Sequence, residues 1–546
     1  MKQKKSGVIA YLSLEVALEN NIKNYAGGLG VLAGDLLKSA ADINFPLVGL
    51  SLISHRGYFR QTIGPDGEQK NKVESNYDFS KLVEVNGRVT INIGEDQVII
   101  KAWCYEIKGP KDFIVPVYFL DTDLEENKAE YRDLSASLYL GDRKRRLFQE
   151  IVLGRGGLRL LKALGYQIKK IHLNEGHGAL AAIELYLNST GKTLTEKRQF
   201  VRDRLVFTTH TPITAAQDFF SVAELKIVQP DFPEIGSEVE EDNKISFTKV
   251  CLYFSGYCNG VSARHGQVSR QMYPNYKIDY ITNGVHSVTW TAPEFAALYD
   301  KYLPGWRLKN IFLKKAKIIP ASELWQAHLK TKKRLFKEIN KQAGIDLKMD
   351  IFTIGFARRF TAYKRSDFLL ANLKKLAQVA TKFGGLQIIY AGKAHPSDLV
   401  GQSIIKKIVR VSQKPINNVK IVFWEDYDLN KAKLLVAGVD LWLNTPLPPN
   451  EASGTSGMKA AHNGIPQLST PDGWWPEAVF EGKNGWTIKE LAGSQNNLYD
   501  LLEKEILPIY FDHLQKWQAV MRASIFLSAG HFNTNRVLKE YINMAY

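Results

Sequence analysis

Short apolar runs alternate with longer amphipathic stretches along the 546 residues of the chain. Runs at 8–14, 47–53, 98–105, 114–120, 170–173 and 205–209 predict strands in the first half. Runs at 351–356, 386–391, 419–424 and 439–443 predict them in the second. Helical spacing marks 29–40, 144–164, 177–187, 322–342, 366–382 and 397–412. Strands separated by helices predict an α/β protein with parallel sheets built from strand–helix–strand units. The alternation is cleanest between 351 and 443. The stretch 53–105, richer in Gly and polar residues, reads as a β-excursion, and the acidic, Pro-containing 229–243 reads as a surface loop. So long a chain exceeds one hydrophobic core. A junction near 290–320 divides it into predicted domains 1–310 and 311–546.

Composition narrows the class. Hydrophobic content of 45% and charged content of 23% are ordinary for a globular protein. No apolar run reaches the ~18 residues of a membrane span. The basic start is followed by only a short apolar run ending in Ser13 and Glu15, too short for a signal peptide. The three cysteines, Cys104, Cys251 and Cys258, form no CxxC pair, so neither a disulfide framework nor a zinc site is expected. A reducing cytoplasm fits this usage. The net charge of +16 raises the question of a nucleic-acid or anionic partner. Lysines such as Lys330, Lys332, Lys333 and Lys337 are spread as on a solvated helix face, and no nucleic-acid-binding signature is present. Dedicated nucleic-acid binding is not expected, and no metal site is either.

In open parallel sheets, ligands sit beyond the carboxyl ends of the strands. Several unusual clusters fall there. The most informative is Glu451-Ala-Ser453-Gly454-Thr455-Ser456-Gly457-Met458-Lys459. A Gly-rich turn opening a helix offers backbone N–H groups to a phosphate. The lysine beside it can neutralise that phosphate or form a Schiff base with an aldehyde cofactor. The bland alternative is an ordinary capped helix with a solvated lysine. Arg358, Arg359, Lys364 and Arg365 put four cations into eight residues after the strand at 351–356, enough to clamp two phosphates. Tyr25-Ala26-Gly27-Gly28-Leu29-Gly30 suits close backbone approach to an anion, or simply a tight turn. His210 follows the strand at 205–209 and suits a sugar hydroxyl or a proton shuttle. His172-Leu-Asn174-Glu175-Gly-His177 lacks metal-ligand spacing and reads as a polar scaffold. Asn283-Gly284 forms a turn with Trp290 downstream. Asp472-Gly473-Trp474-Trp475 suits carbohydrate stacking or buried core equally well.

Taken together, these clusters resemble the α-glucan (glycogen, starch, maltodextrin) phosphorylases, in order, from Tyr11 to the C-terminal region. The wording Phe356-Ala357-Arg358-Arg359-Phe360 and Gly473-Trp474-Trp475 resembles most the short bacterial and archaeal branch. The resemblance implies two Rossmann-like domains in a glycosyltransferase-B arrangement with an interdomain active-site cleft. It implies phosphorolysis of an α-1,4-glucan by inorganic phosphate to α-glucose 1-phosphate, with retained configuration. The cofactor would be pyridoxal 5′-phosphate on Lys459, acting through its 5′-phosphate, which passes a proton to the substrate phosphate. By similarity, Arg358, Thr455 and Ser456 would contact the cofactor phosphate, and Tyr427 and Trp290 would line its ring. Arg359 and Lys364 would bind substrate phosphate with backbone N–H groups of Gly28 and Leu29. His210, Asn283, Glu451, Ser453 and Gly454 would hold glucosyl hydroxyls, and Tyr363 matches a sugar-contacting tyrosine. Family members are commonly dimeric, which implies a homodimer. One departure stands out: Thr214-Ala215-Ala216-Gln217 precedes Asp218 where short-branch relatives tend to carry Gly-His. The animal and plant enzymes' N-terminal regulatory segments find no counterpart before Tyr11, so no such regulation is expected. A nucleotide-sugar-dependent glucan synthase of the same fold is the competing reading, and a non-catalytic glucan-binding relative is another. The Lys459 segment favours the phosphorylase, because a nucleotide donor carries its own phosphates.

Overall fold

A computed structural model describes residues 5–73, 78–139, 142–213, 217–235, 238–489 and 494–546. The chain forms two compact units: Met1–Phe59 with Val73–Thr282 and Val537–Tyr546, and Arg60–Lys72 with Asn283–Arg536. The division falls at Thr282–Asn283 rather than at 310, and both units are discontinuous. The physical reason lies in packing. Phe295, Tyr299, Leu303 and Trp306 are buried in one core with Phe352, Ile354 and Leu441, so the stretch after 283 cannot be separated from the second sheet.

The first unit is built on a sheet whose strands run Asp279–Tyr280, Tyr257–Gly260, Leu205–Thr208, Gln167–Asn174, Ser6–Leu12, Leu47–Leu52 and Ile114–Asp121, all parallel. The strand Asp96–Lys108 then adds antiparallel to Ile114–Asp121. The segment from 53 to 105 is the expected β-excursion, but its hairpin Arg60–Ile63/Gln69–Lys72 belongs to the second unit. The second sheet runs Val419–Trp424, Leu386–Ala391, Phe352–Ala357, Leu441–Asn444, Gln467–Ser469 and Gly485–Thr487, parallel throughout. Its inner strands are buried along their length, Phe352–Ala357 at every residue. This is why they read as continuous apolar runs and not as alternating ones.

Both sheets reverse direction of growth beside one strand. In the second, the chain moves outward from Phe352–Ala357 and returns to lay Leu441–Asn444 on its other side. In the first, Ser6–Leu12 is flanked by Leu47–Leu52 and Gln167–Asn174. The crevice at the carboxyl ends of such a strand pair is where open α/β sheets bind ligands.

Three expectations are revised. The helix at 144–164 is Arg143–Ile151, a wider π turn Val152–Gly156, then Gly157–Ala163. Its glycines allow close approach: a Cβ on Gly154 would lie 2.6 Å from Ala181 N, and one on Gly156 2.4 Å from Ile100. The helix at 366–382 begins only at Leu373, where the Asn372 side chain accepts from Lys375 N at 2.9 Å, a preferred N-cap. The loop at 229–243 contains the strand Glu240–Glu241, paired with Lys244–Ser246. Among the described residues no helix is long and apolar enough to cross a membrane, and no three His, Cys, Asp or Glu side chains are grouped to hold a metal ion.

At the amino ends of the second sheet lies a fully buried charge cluster. Asp440 accepts from Lys332 Nζ at 2.7 Å and from Thr353 N at 2.8 Å, and pairs with His328 Nε2 at 2.8 Å. Burial opposes ionisation of Asp440, but Lys332 and His328 outweigh it and lower its pKa. The cluster ties the helix Ala321–Ala343 to two adjacent strands. Removing one partner of such a pair strands the other charge in the core. Lys332→Met is expected to cost about 3–5 kcal/mol in denaturant unfolding. A loss below about 1 kcal/mol would show that the pair does not hold this end of the sheet.

Candidate active site

At the reversal point of the second sheet, the chain leaves Phe352–Ala357 directly into Arg358. It leaves Leu441–Asn444 into the loop that carries Glu451. These two exits meet. Arg358 Nη2 and Lys364 Nζ both donate to Glu451 Oε2, and the three side chains are about nine-tenths buried. Nε and Nη1 of Arg358 are buried with no hydrogen-bond partner among the described residues, as is Ser453 Oγ. Buried donors without partners are uncommon in folded proteins, and here they lie beside the paired cations and carboxylate.

The electrostatics follow from that arrangement. Burial alone would raise the Glu451 carboxyl, but Arg358 and Lys364 outweigh it and hold it at about 2. Burial, then repulsion from Arg358, brings the Lys364 ammonium down to about 7 although Glu451 opposes the shift. Arg359 is exposed and adds a smaller push in the same direction. Two cations share one carboxylate, so the buried cluster carries an excess positive charge and suits an anion.

The turn that delivers Lys364 is locked from behind. Leu447 N donates to Tyr363 O at 2.7 Å, and Thr445 Oγ1 donates to Arg365 O at 3.0 Å. Arg365 sits at φ +46 and donates to Thr445 O and Pro446 O, both at 2.9 Å. These bonds hold the loop, and the positive φ is a strained backbone for a non-glycine residue. Tyr363 lies with its ring centroid 4.4 Å from Lys364 Nζ.

The Glu451 loop is set by Asp472. One carboxylate oxygen accepts from Glu451 N at 2.8 Å, the other from Gly473 N at 2.9 Å. Gly454 takes φ +78, which favours glycine. A Cβ on Gly457 would lie 1.4 Å from Gln467 Oε1, so a side chain there would require Gln467 to move. Thr455 is the N-cap of Ser456–Ala461 and makes no side-chain cap bond. Ser456 Oγ accepts from Trp442 Nε1 at 3.0 Å and donates to Asn444 Oδ1 at 3.4 Å. The contact to Asn444 is long for an O–H···O bond. Trp474 and Trp475 are buried, as core and not as a stacking surface.

Lys459 is buried on that helix with Nζ 4.1 Å from the centre of the Trp290 ring. Asn463, one turn on, donates to Trp290 O at 2.8 Å and accepts from Ala292 N at 2.7 Å. His462 donates from Nδ1 to Met458 O at 2.8 Å, so its Nε2 accepts from Ser287 Oγ at 2.9 Å. The aromatic segment is thereby clamped against the lysine. Tyr427 follows Asp426, which has φ +51 and exchanges hydrogen bonds with Gln61 at 3.0 and 2.9 Å. Asn283 is buried, and its carbonyl accepts from Arg536 Nη2 at 3.0 Å.

In the first unit, His210 follows Leu205–Thr208. Asn174 Nδ2 donates to Ser13 Oγ at 3.0 Å, which turns Oδ1 toward His210 Nε2 at 2.6 Å. His210 therefore carries its proton on Nε2. Burial and neighbouring histidines push its pKa down to about 3, which favours the neutral imidazole. Glu175, at φ +75, accepts from His210 N at 2.8 Å. Glu15 accepts from Ala26 N at 2.6 Å and Gly27 N at 3.1 Å, which fixes the glycine loop. A Cβ on Gly28 would meet nothing within 4 Å, so the fold itself does not demand glycine there. Thr214–Ala216 lie outside the described residues. Gln217 bonds Tyr273, and Asp218 pairs with Arg146 at 3.4 Å.

A maltodextrin phosphorylase of Thermococcus litoralis is 36% identical over 98% of this chain and 70% of its own length. The chain belongs to the carbohydrate phosphorylase family. Residues 234–479 match that family directly, a stretch that holds Asn283, Trp290, Arg358, Lys364, Tyr427, Glu451 and Lys459. A glycogen phosphorylase of Aquifex aeolicus is 35% identical over 98% of this chain and 86% of its own. An uncharacterized protein of Methanocaldococcus jannaschii is 31% identical over 98% of this chain and 99% of its own. The sequence motifs singled out Arg365 and Asp472 without their supporting roles and did not single out Asn463 or Glu15, because those roles depend on neighbours distant in sequence.

The Lys364 ammonium generates a pH-dependent prediction. Below about pH 7, folded and unfolded chains both hold its proton, and the folded state bears the full cost of burying it. Between about 7 and the ordinary lysine value of 10.5, the unfolded chain holds a proton that the folded chain lacks, so that cost fades as pH rises. Unfolding of the native protein and of Lys364→Met at about pH 6.5 and about pH 9.5 should show the native protein gaining on the variant at the higher pH. A constant difference would mean that Lys364 is not depressed.

Proposed function

We propose that the protein is an α-1,4-glucan phosphorylase that uses pyridoxal 5′-phosphate and inorganic phosphate to release α-glucose 1-phosphate. The observation that carries this reading is the buried Lys459 Nζ over the Trp290 ring, with a buried Arg358 whose Nε and Nη1 have no partner among the described residues. These residues fit the cofactor: an amine for an aldehyde, an aromatic wall for a ring, and guanidinium donors for a phosphate. When bound, the cofactor supplies a phosphate that passes a proton toward the substrate phosphate.

The chain's own residues do the rest. Lys459 anchors the aldehyde, and Trp290 and Tyr427 shield the ring from water. Arg358, with Thr455 and the backbone at Ser456, holds the cofactor phosphate. Lys364 and Arg359 bind the substrate phosphate and offset the repulsion between two dianions, which would otherwise oppose their approach. Gly28 and Leu29 offer backbone N–H groups to an anion. His210, Asn283, Glu451, Ser453 and Gly454 hold glucosyl hydroxyls, and Tyr363 contacts the sugar. The same cations stabilise charge as the glycosidic bond breaks.

The test is direct. Maltodextrin plus inorganic phosphate should yield glucose 1-phosphate, and purified protein should absorb in the near ultraviolet. Lys459→Ala should lose the absorbance, and Lys459→Arg should stay folded while activity falls by about 10²-fold or more. Full activity in Lys459→Arg, or no product from cofactor-replete protein, would reject the reading.

A further inference from the structure

The proposed function assigns Lys364 to the substrate phosphate and Glu451 to the sugar, yet in the structure these two groups hold each other. Oε2 of Glu451 accepts from both Lys364 and Arg358. One carboxylate oxygen has two lone-pair sites, so this oxygen is saturated. A sugar hydroxyl can donate to it only if one of the cations withdraws. The cations have donors to spare. The ammonium carries three N–H groups, and Arg358 keeps Nε and Nη1 unpartnered. The backbone of Glu451 is fixed independently through Asp472, so its carboxylate can change partners without moving the loop.

Resting on that functional reading, we propose that Glu451 couples the two ligand-binding functions of this site. Phosphate takes over the Lys364 ammonium, Oε2 of Glu451 is released to accept from a glucosyl hydroxyl, and each ligand strengthens the binding of the other. Linkage makes the effect reciprocal: sugar that draws Glu451 away leaves the ammonium to the phosphate by the same factor. With two cations and one carboxylate buried together, the charge balance favours the state in which a second anion has entered.

Calorimetric titration of the holoenzyme tests this with inorganic phosphate and with glucose, a sugar that has hydroxyls but no glycosidic bond to break. Saturating glucose should lower the phosphate Kd by about 5–150-fold, and saturating phosphate should lower the glucose Kd by the same factor. In Glu451→Gln the factor should fall to about one. Phosphate alone should then bind about tenfold more tightly, because no carboxylate competes for the ammonium. Equal phosphate affinity with and without glucose in the native protein would overturn the proposal without recourse to any variant, and so would unchanged coupling in Glu451→Gln. If neither ligand binds and maltodextrin yields no glucose 1-phosphate, the functional reading fails first and this inference with it.

Discussion

Two buried cations on one carboxylate oxygen are the constraint around which the second unit is organised. Unit charges about 4 Å apart interact by about 4 kcal/mol at an effective dielectric constant near 20. Removing each ion from water costs several kcal/mol. Arg358, Lys364 and Glu451 therefore persist in the interior only if backbone supports hold them in register. The excess positive charge that remains is what makes the place an anion site. Arg365 at φ +46, Gly454 at φ +78 and the Asp472 clamp are the local distortions that keep the three groups together. Strain of this kind gathers where function over-determines the backbone.

The two ends of the second sheet divide the labour. At the amino ends, Asp440 pairs with Lys332 and with His328 Nε2, and all three side chains are fully enclosed. At the carboxyl ends, Arg358 and Ser453 keep polar atoms without partners. The buried ion pair binds helix to sheet, whereas two cations on one carboxylate leave an excess positive charge that suits an anion. In the first unit, Asn174 and Glu175 orient His210 through hydrogen bonds, and Glu15 accepts from Ala26 N, Gly27 N and Tyr139.

Much of the fold was legible because buried parallel strands must be apolar on both faces. The runs at 351–356, 386–391 and 419–424 coincide with observed strands to within a residue. Some misjudged elements were decided by neighbours far away in sequence: Gly154 and Gly156 open a helix against Ala181 and Ile100. The late helix start is local, set by Asn372 capping Lys375 N. Trp474 and Trp475 offered two equal readings until packing placed both in the core. Residue type alone did not show that Ser456 accepts from Trp442 or that Arg365 donates to two loop carbonyls.

By itself, the order of residues determined the class of chemistry: glycines that admit close contact, a lysine four residues after Thr455, and cations immediately after a strand. Such signals are local, since they depend on residue type and spacing along one element. Only the tertiary structure decided which cations share Glu451, which hydroxyls remain available and where the units divide. Those outcomes depend on burial and on partners up to hundreds of residues apart, and competition for a single oxygen atom cannot be read from spacing.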